Sequence, residues 1–233
     1  MSQKKFIIIV TALIFTVGVL SFLLSPLFKL NSFEVRGLEN LEEKKVEMVV
    51  NSFMGKNIWI VDISTLKKRL KKIGYIDQVN ISRDYPNSLL INIKERKPLA
   101  MVNNKGKFLV FCPQGNILEK SEERKKHNIP LIQGIGYVFS QDKLIFSSRM
   151  KHIITALEKR EQTTLAKMKQ IKYNEQQLDI TLESDVEIYM GQMNDIDKKF
   201  SLLESAVRKI TNEDLNVEYI DLKVTNRPVI KKQ

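Results

Sequence analysis

Side chains able to carry chemistry are sparse in this 233-residue chain. A zinc site needs three or four converging His, Cys or carboxylate ligands. The two histidines do not offer one: His127 closes the charged run Glu119–His127, and His152 falls on a predicted helix without an acid at ligand spacing. The single cysteine, Cys112, precedes Pro113 in a predicted turn. It reads as a small packed residue rather than a nucleophile, and alone it forms no intramolecular disulfide. The acid pairs Asp195/Asp197 and Glu213/Asp214 fall at helix ends, where caps and dipoles account for them. The nine glycines spell no G-x-G-x-x-G, no P-loop and no G-x-S-x-G elbow. The expectation is no enzyme, no metal, no cofactor and no small-molecule substrate, in a chain that acts by binding.

The element that positions everything else is the uncharged run Phe6–Leu24. As a helix it is roughly 28 Å long, close to the ~30 Å hydrocarbon core of a bilayer. Its anchor side chains are Phe6, Ile7, Ile8, Ile9, Val10, Leu13, Ile14, Phe15, Val17, Val19, Leu20, Phe22, Leu23 and Leu24. A buried core helix would carry a polar stripe, which this run lacks. A cleavable signal peptide fits the basic Lys4 and Lys5, but its apolar region is usually shorter, and Ser25-Pro26-Leu27-Phe28 is a poor cleavage context. The reading adopted is an uncleaved transmembrane anchor over 6–28 behind a tail of residues 1–5. Lys4 and Lys5 on one side and Lys29 and Arg36 on the other leave the orientation almost undecided by charge.

The formal net charge is +11, of which residues 1–28 hold two lysines and no acid. The remainder is therefore basic enough to attract polyanions. Its lysines and arginines are scattered and not interleaved with aromatics, which argues against nucleic acid.

Behind the anchor, Leu30–Leu38 alternates as a short strand. Asn40 stands three residues before Glu43 in a variant capping box, opening a helix over 41–53 with Val46, Val49, Val50 and Phe53 on one face, closed by Gly55. Asn57–Val61 reads as extended. Asp62 caps a second helix, with Ile63, Leu66, Leu70 and Ile73 opposite a basic face and Gly74 as its stop. Strands over 78–83 and 89–95 flank the turn residues Asp84–Ser88. The order is β-α-α-β-β: two helices over a three-stranded sheet.

Pro98 marks a boundary. Beyond it come a hairpin around Cys112–Gly115 and a short extended piece over Ile129–Gly134. A helix follows over 147–161, then strands over 168–174, 177–183 and 185–191 and a helix capped by Asp195. Val217–Thr225 is a strand with Ile220, Leu222 and Val224 on one face and Tyr219, Asp221 and Lys223 on the other. Asn226-Arg227-Pro228 turns the chain into a last strand from Val229. A terminal strand is often an edge, with backbone groups free to take another chain's strand, although a capped or interior strand fits the pattern equally well.

Taken in order, F-E-V-R-G-L (33–38), N-I-W-I-V-D (57–62), R-D-Y-P-N-S-L-L-I-N-I-K-E-R-K-P-L-A (83–100) and Y-I-D-L-K-V-T-N-R-P-V (219–229) resemble the FtsQ/DivIB family of bacterial cell division proteins. The resemblance implies an α+β chain: one N-terminal transmembrane helix, a POTRA domain over 29–97, and an FtsQ-type β domain over 98–233, with a mostly antiparallel sheet and a C-terminal strand. It implies a single-pass type II protein of the cytoplasmic (inner) membrane, its C-terminal domain extracytoplasmic, placed at the division septum. It further implies a non-enzymatic divisome scaffold that links early and late division proteins, supports septum formation, and binds FtsB/DivIC-like and FtsL-like partners. Carried onto this chain, the strand-addition residues are Tyr219, Asp221, Lys223, Thr225, Arg227 and Val229. The alternative class is a POTRA-bearing component of an outer-membrane assembly or secretion system. A wall-active enzyme is a third.

Overall fold

The computed structural model describes residues 3–124, 128–174, 176–213 and 215–232. His127 and Asp214, both weighed above, and the first two residues of the tail lie outside these. The chain divides into two compact units, Met1–Glu95 and Arg96–Gln233.

The first unit begins with helix α1 (Gln3–Leu23), on which no side chain is buried. A 3-10 turn over Pro26–Phe28 leads into β1 (Ser32–Arg36), α2 (Glu43–Val50), α3 (Ile63–Leu70), β2 (Ile76–Asp84) and β3 (Ser88–Glu95). The sheet order is β1-β3-β2, with β1 parallel and β2 antiparallel to the central β3. Val46 and Val50 of α2, and Leu66 and Leu70 of α3, are buried, as are Val79, Leu89, Ile91 and Ile93 of the sheet. The period-3.6 stripes of the helices thus meet the period-2 rows of the strands.

Several boundaries differ from expectation. Asn40 is not the cap of α2, which has no side-chain cap. Its backbone N–H, with those of Glu39 and Leu41, donates to the Glu95 carboxylate at 2.8–3.0 Å. An acceptor at the end of β3 has taken the role given to a local motif. Asn57–Val61 is a turn, with the Ile60 and Val61 N–H groups both bonded to the Asn57 carbonyl. The second helix ends at Leu70, well before Gly74. Asp62 does cap it: Oδ1 accepts from the Thr65 N–H at 3.0 Å and Oδ2 from its hydroxyl at 2.6 Å. Gly37 sits at φ +85°, and a Cβ there would lie 2.1 Å from the Ile93 carbonyl oxygen, so only glycine lets β1 leave the sheet at that point.

The second unit holds β4 (Ala100–Asn104), β5 (Lys107–Phe111), β6 (Ile117–Ser121), β7 (Leu131–Gln133), β8 (Tyr137–Ser140), β9 (Lys143–Phe146), α4 (Ser148–Glu158), α5 (Gln162–Leu165), β10 (Met168–Asn174), β11 (Gln177–Leu182), β12 (Glu187–Gly191), α6 (Ile196–Glu213), β13 (Val217–Asp221) and β14 (Val229–Lys232). Strands β8 and β9 form a separate hairpin. The other nine make one sheet in the order β14-β13-β12-β11-β10-β7-β4-β5-β6. Its pairs are mostly antiparallel; the parallel ones are β4–β7, β7–β10 and β12–β13. The amphipathic helices α4 and α6 supply Met150, Ile153, Ile154, Leu157, Phe200, Leu203 and Val207 to the core, packed with Ile171, Ile180, Ile188 and Ile220 of the strands.

Candidate interaction edge

β13 is shorter than expected. It ends at Asp221, and residues 222–228 form a bend and turn closed by the Arg227 N–H on the Val224 carbonyl at 3.1 Å. Ile220 and Leu222 are buried as the alternation requires, but Val224 is 59% exposed, because the chain has left the sheet by then. Antiparallel pairing joins Tyr219 to Lys231, Ile220 to Ile230 and Asp221 to Val229, with a register shift between Val217 and Tyr219. That irregularity lets Val217 and Ile220, an odd number of residues apart, both face the core.

The six proposed residues are therefore not all on one strand. Tyr219 and Asp221 belong to β13, which is paired on both sides; Lys223, Thr225 and Arg227 lie in the bend; Val229 opens β14. β14 itself is one edge strand of the sheet, with β6 at the opposite end. Pairing brings Tyr219, Asp221 and Val229 onto one face. Lys223 joins them, its ammonium 3.8 Å from Asp221 and 5.1 Å from the centre of the Tyr189 ring.

Three neighbours complete the surface and were missed by sequence reasoning. Tyr189 of β12 packs against Tyr219 with ring centroids 5.7 Å apart. Lys231 of β14 lies over the Tyr219 ring at 5.5 Å and bonds Glu218 at 2.9 Å. That hydrogen bond, and the charge of Glu218, hold the Lys231 ammonium above the ordinary lysine pKa. Val224 projects from the bend. Only the parallel pairing of β12 with β13 brings Tyr189 beside Tyr219, and no local pattern announces it. With Lys223, Arg227, Lys231 and Lys232, the edge is basic. Its aromatic and aliphatic side chains are framed by charge, as at many partner-binding surfaces.

The residues screened for catalysis are dispersed. Cys112 is buried, its sulfur 3.6 Å from the Asn116 amide nitrogen. His152 is exposed on α4. Asp197 pairs with Lys159 at 2.5 Å, and Asp195 gives its carbonyl to the Lys199 N–H at 3.0 Å. No group of three or more His, Cys, Asp or Glu side chains is placed to hold a metal among the described residues.

An apolar N-terminal helix followed by a β-α-α-β-β unit and a large mixed sheet defines a POTRA-bearing protein with a helix that fits a membrane anchor. Residues 28–96 match the family described as POTRA domain, FtsQ-type, and residues 100–223 match that described as cell division protein FtsQ/DivIB, C-terminal. The chain belongs to the FtsQ/DivIB family of cell division proteins. It is 25% identical to the cell division protein DivIB of Clostridium botulinum (strain Hall), over 97% of this chain and 91% of that one. It is likewise 25% identical to DivIB of Clostridium tetani, over 93% and 86%, and 22% identical to the cell division protein FtsQ of Myxococcus fulvus, over 88% and 73%. The major extracytoplasmic domain of DivIB from Geobacillus stearothermophilus aligns at a TM-score of 0.37 and 15% identity, over 50% of this chain and 97% of that one. The C-terminal family match stops at Lys223, short of β14.

Proposed function

We propose that this chain is a membrane-anchored, non-enzymatic scaffold of the divisome whose β14 edge takes a strand from an FtsB/DivIC-like partner. In this reading α1 crosses the cytoplasmic membrane with its N-terminus inside, and both folded units stand outside, at the septum. There the chain links early division proteins to late ones, including an FtsL-like protein. One observation carries the reading: among the described residues β14 is paired on one side only, against β13, and it borders a basic, aromatic surface. Strand addition satisfies such free N–H and C=O groups, at about 0.5–1.5 kcal/mol net per hydrogen bond. A four-residue edge therefore gives modest affinity, and confinement to a membrane raises the effective concentration of two tethered partners. The test is capture of an FtsB-like protein by the full chain and by a chain cut after Asn226. The cut removes β14 but leaves β13 paired to β12, so binding is expected to fall while the fold persists. Equal capture by both would remove the edge from the reading. An N-terminal fluorescent fusion absent from septa would remove the divisome role.

A further inference from the structure

The C-terminal end of α1 is joined to the folded part of the first unit by direct contacts. The Asn57 amide donates to the Leu23 carbonyl at 2.7 Å, taking one of the acceptors a helix end leaves without a partner. Its Oδ1 accepts from the Trp59 N–H at 3.0 Å, so one side chain fixes both the helix end and the start of the 57–61 turn. The Ile58 N–H bonds the Phe28 carbonyl at 2.7 Å, and the Arg83 guanidinium donates to the carbonyls of Ile58 (2.7 Å) and Val61 (3.0 Å). The turn is thus held from three directions.

What it presents is apolar. Trp59 is 46% exposed and Ile60 72%; Tyr85, from the turn between β2 and β3, is 50% exposed. The Trp59 and Tyr85 rings stack at 4.5 Å and 29°. Phe28 links them to the helix: its ring lies 5.3 Å from Phe22, in the last turn of α1, and 6.0 Å from Trp59. A run of four rings therefore continues from the apolar helix onto the surface of the folded part. Exposed Leu24 and Leu27 border it, and Lys29 and Lys56 follow.

A soluble surface gains nothing from showing a tryptophan, an isoleucine and a tyrosine together. A bilayer interface does, because amphipathic rings gather at the headgroup level. The interfacial layer on each side of the hydrocarbon is roughly 5–8 Å deep. Phe22 lies at the end of the span, and Trp59 stands two ring contacts from it, at 5.3 and 6.0 Å, which puts the cluster within reach of that layer.

We infer that Trp59, Ile60 and Tyr85 insert into the lipid headgroup boundary and seat the first folded unit directly on the membrane around the exit of α1. The inference rests on the reading of α1 as a membrane span. The membrane is chosen over a protein partner because the patch is continuous, ring to ring, with the span itself. Lys29, next to Phe28 in sequence, and Lys56, next to the 57–61 turn, are exposed and favour anionic headgroups.

Trp59 is the sole tryptophan, so its emission reports the site alone. The full chain is reconstituted into vesicles of phosphatidylcholine and phosphatidylglycerol that carry lipids brominated either near the headgroup or near the chain terminus. The expected result is a blue-shifted emission, strongly quenched by the shallow bromines, weakly by the deep ones, and little by aqueous iodide. Emission as in water, quenched by iodide and untouched by either lipid, would overturn the inference and leave the patch to a protein. A second variant, Trp59→Phe with Phe15→Trp, places the reporter mid-helix. Quenching there by the deep bromines, with Trp59 unquenched in the parent, defeats the seating alone. No quenching in either defeats the span as well. Asn57→Ala is expected to weaken the shallow quenching of Trp59 by loosening the turn from the helix end.

Discussion

The ammonium of Lys199 donates to the carbonyl of Met190 at 2.8 Å, from a lysine with none of its surface exposed. The Gln192 carbonyl at 2.7 Å and Asn194 Oδ1 at 3.3 Å complete its shell. Burial holds its pKa below the usual lysine value, against the opposing pull of Asp195 and Asp221. The side chain reaches back from the first turn of α6 to the end of β12 and fixes the crossing from β12 to β13. Lys199→Met fills similar volume but leaves these acceptors without their donor. It is expected to lower the unfolding free energy by about 2–3 kcal/mol in urea titrations. Because β13 supports the edge strand, partner capture should fall with it.

Glu95 receives three backbone N–H groups ahead of α2. Glu95→Gln keeps one good acceptor and replaces the other with a donor. A loss of about 1–2 kcal/mol is expected, seen as faster amide exchange at Glu39–Leu41. Gly37→Ala, nearby, should cost more than the ~1–3 kcal/mol of a left-handed non-glycine residue, since its Cβ would also meet backbone at Ile93.

Asp62 is held below the ordinary aspartate pKa, first by the Thr65 hydroxyl and then by the Thr65 N–H. A depressed carboxylate stabilises fully above its unfolded pKa, and the contribution is lost as pH falls through the lower folded value. Asp62→Asn retains a capping oxygen without the titration. Melting curves of the two chains are therefore expected to converge on acidification, the parent losing more; parallel curves would contradict the cap's charge.

At the edge, Tyr219→Ala removes the ring on which Tyr189 and Lys231 rest. It is expected to weaken binding of an FtsB-like strand by about 1–2 kcal/mol, roughly 5- to 30-fold in Kd. Lys223→Glu reverses a charge in the bend and should slow association, with an effect that shrinks in salt. Titration calorimetry and stopped-flow mixing of the full chain read the two effects separately.

The first unit was largely legible, because each of its elements carries a clear period of its own: helical stripes on α2 and α3, alternation on β2 and β3, and Asp62 capping the helix that follows it. The pairing of β1 with β3, more than fifty residues on, is set by the fold and not by any local pattern. Asn40 misled because its partner, Glu95, lies far along the chain and overrides the motif. In the second unit β10–β12 could be read from their alternation. β4, whose first three residues are all buried, showed none, and β8 and β9 were too short to stand out. Lys199 was invisible, since its residue type signals surface and only the fold encloses it. The proposed binding face was half visible: Tyr219 follows from alternation, whereas its neighbours Tyr189 and Lys231 arrive through strand pairings that no local period specifies.

β7 is only three residues long, yet it pairs parallel with β4 on one side and β10 on the other. On each flank of it lie strands joined mainly by short antiparallel turns, which close quickly. Parallel partners distant in sequence meet slowly, since loop entropy is spent before contacts form. Leu131, Ile132 and Gln133 are thus a seam in time as well as in space. Each half of the sheet is therefore expected to assemble first, with the nine strands joining into one body as this short segment is captured between them.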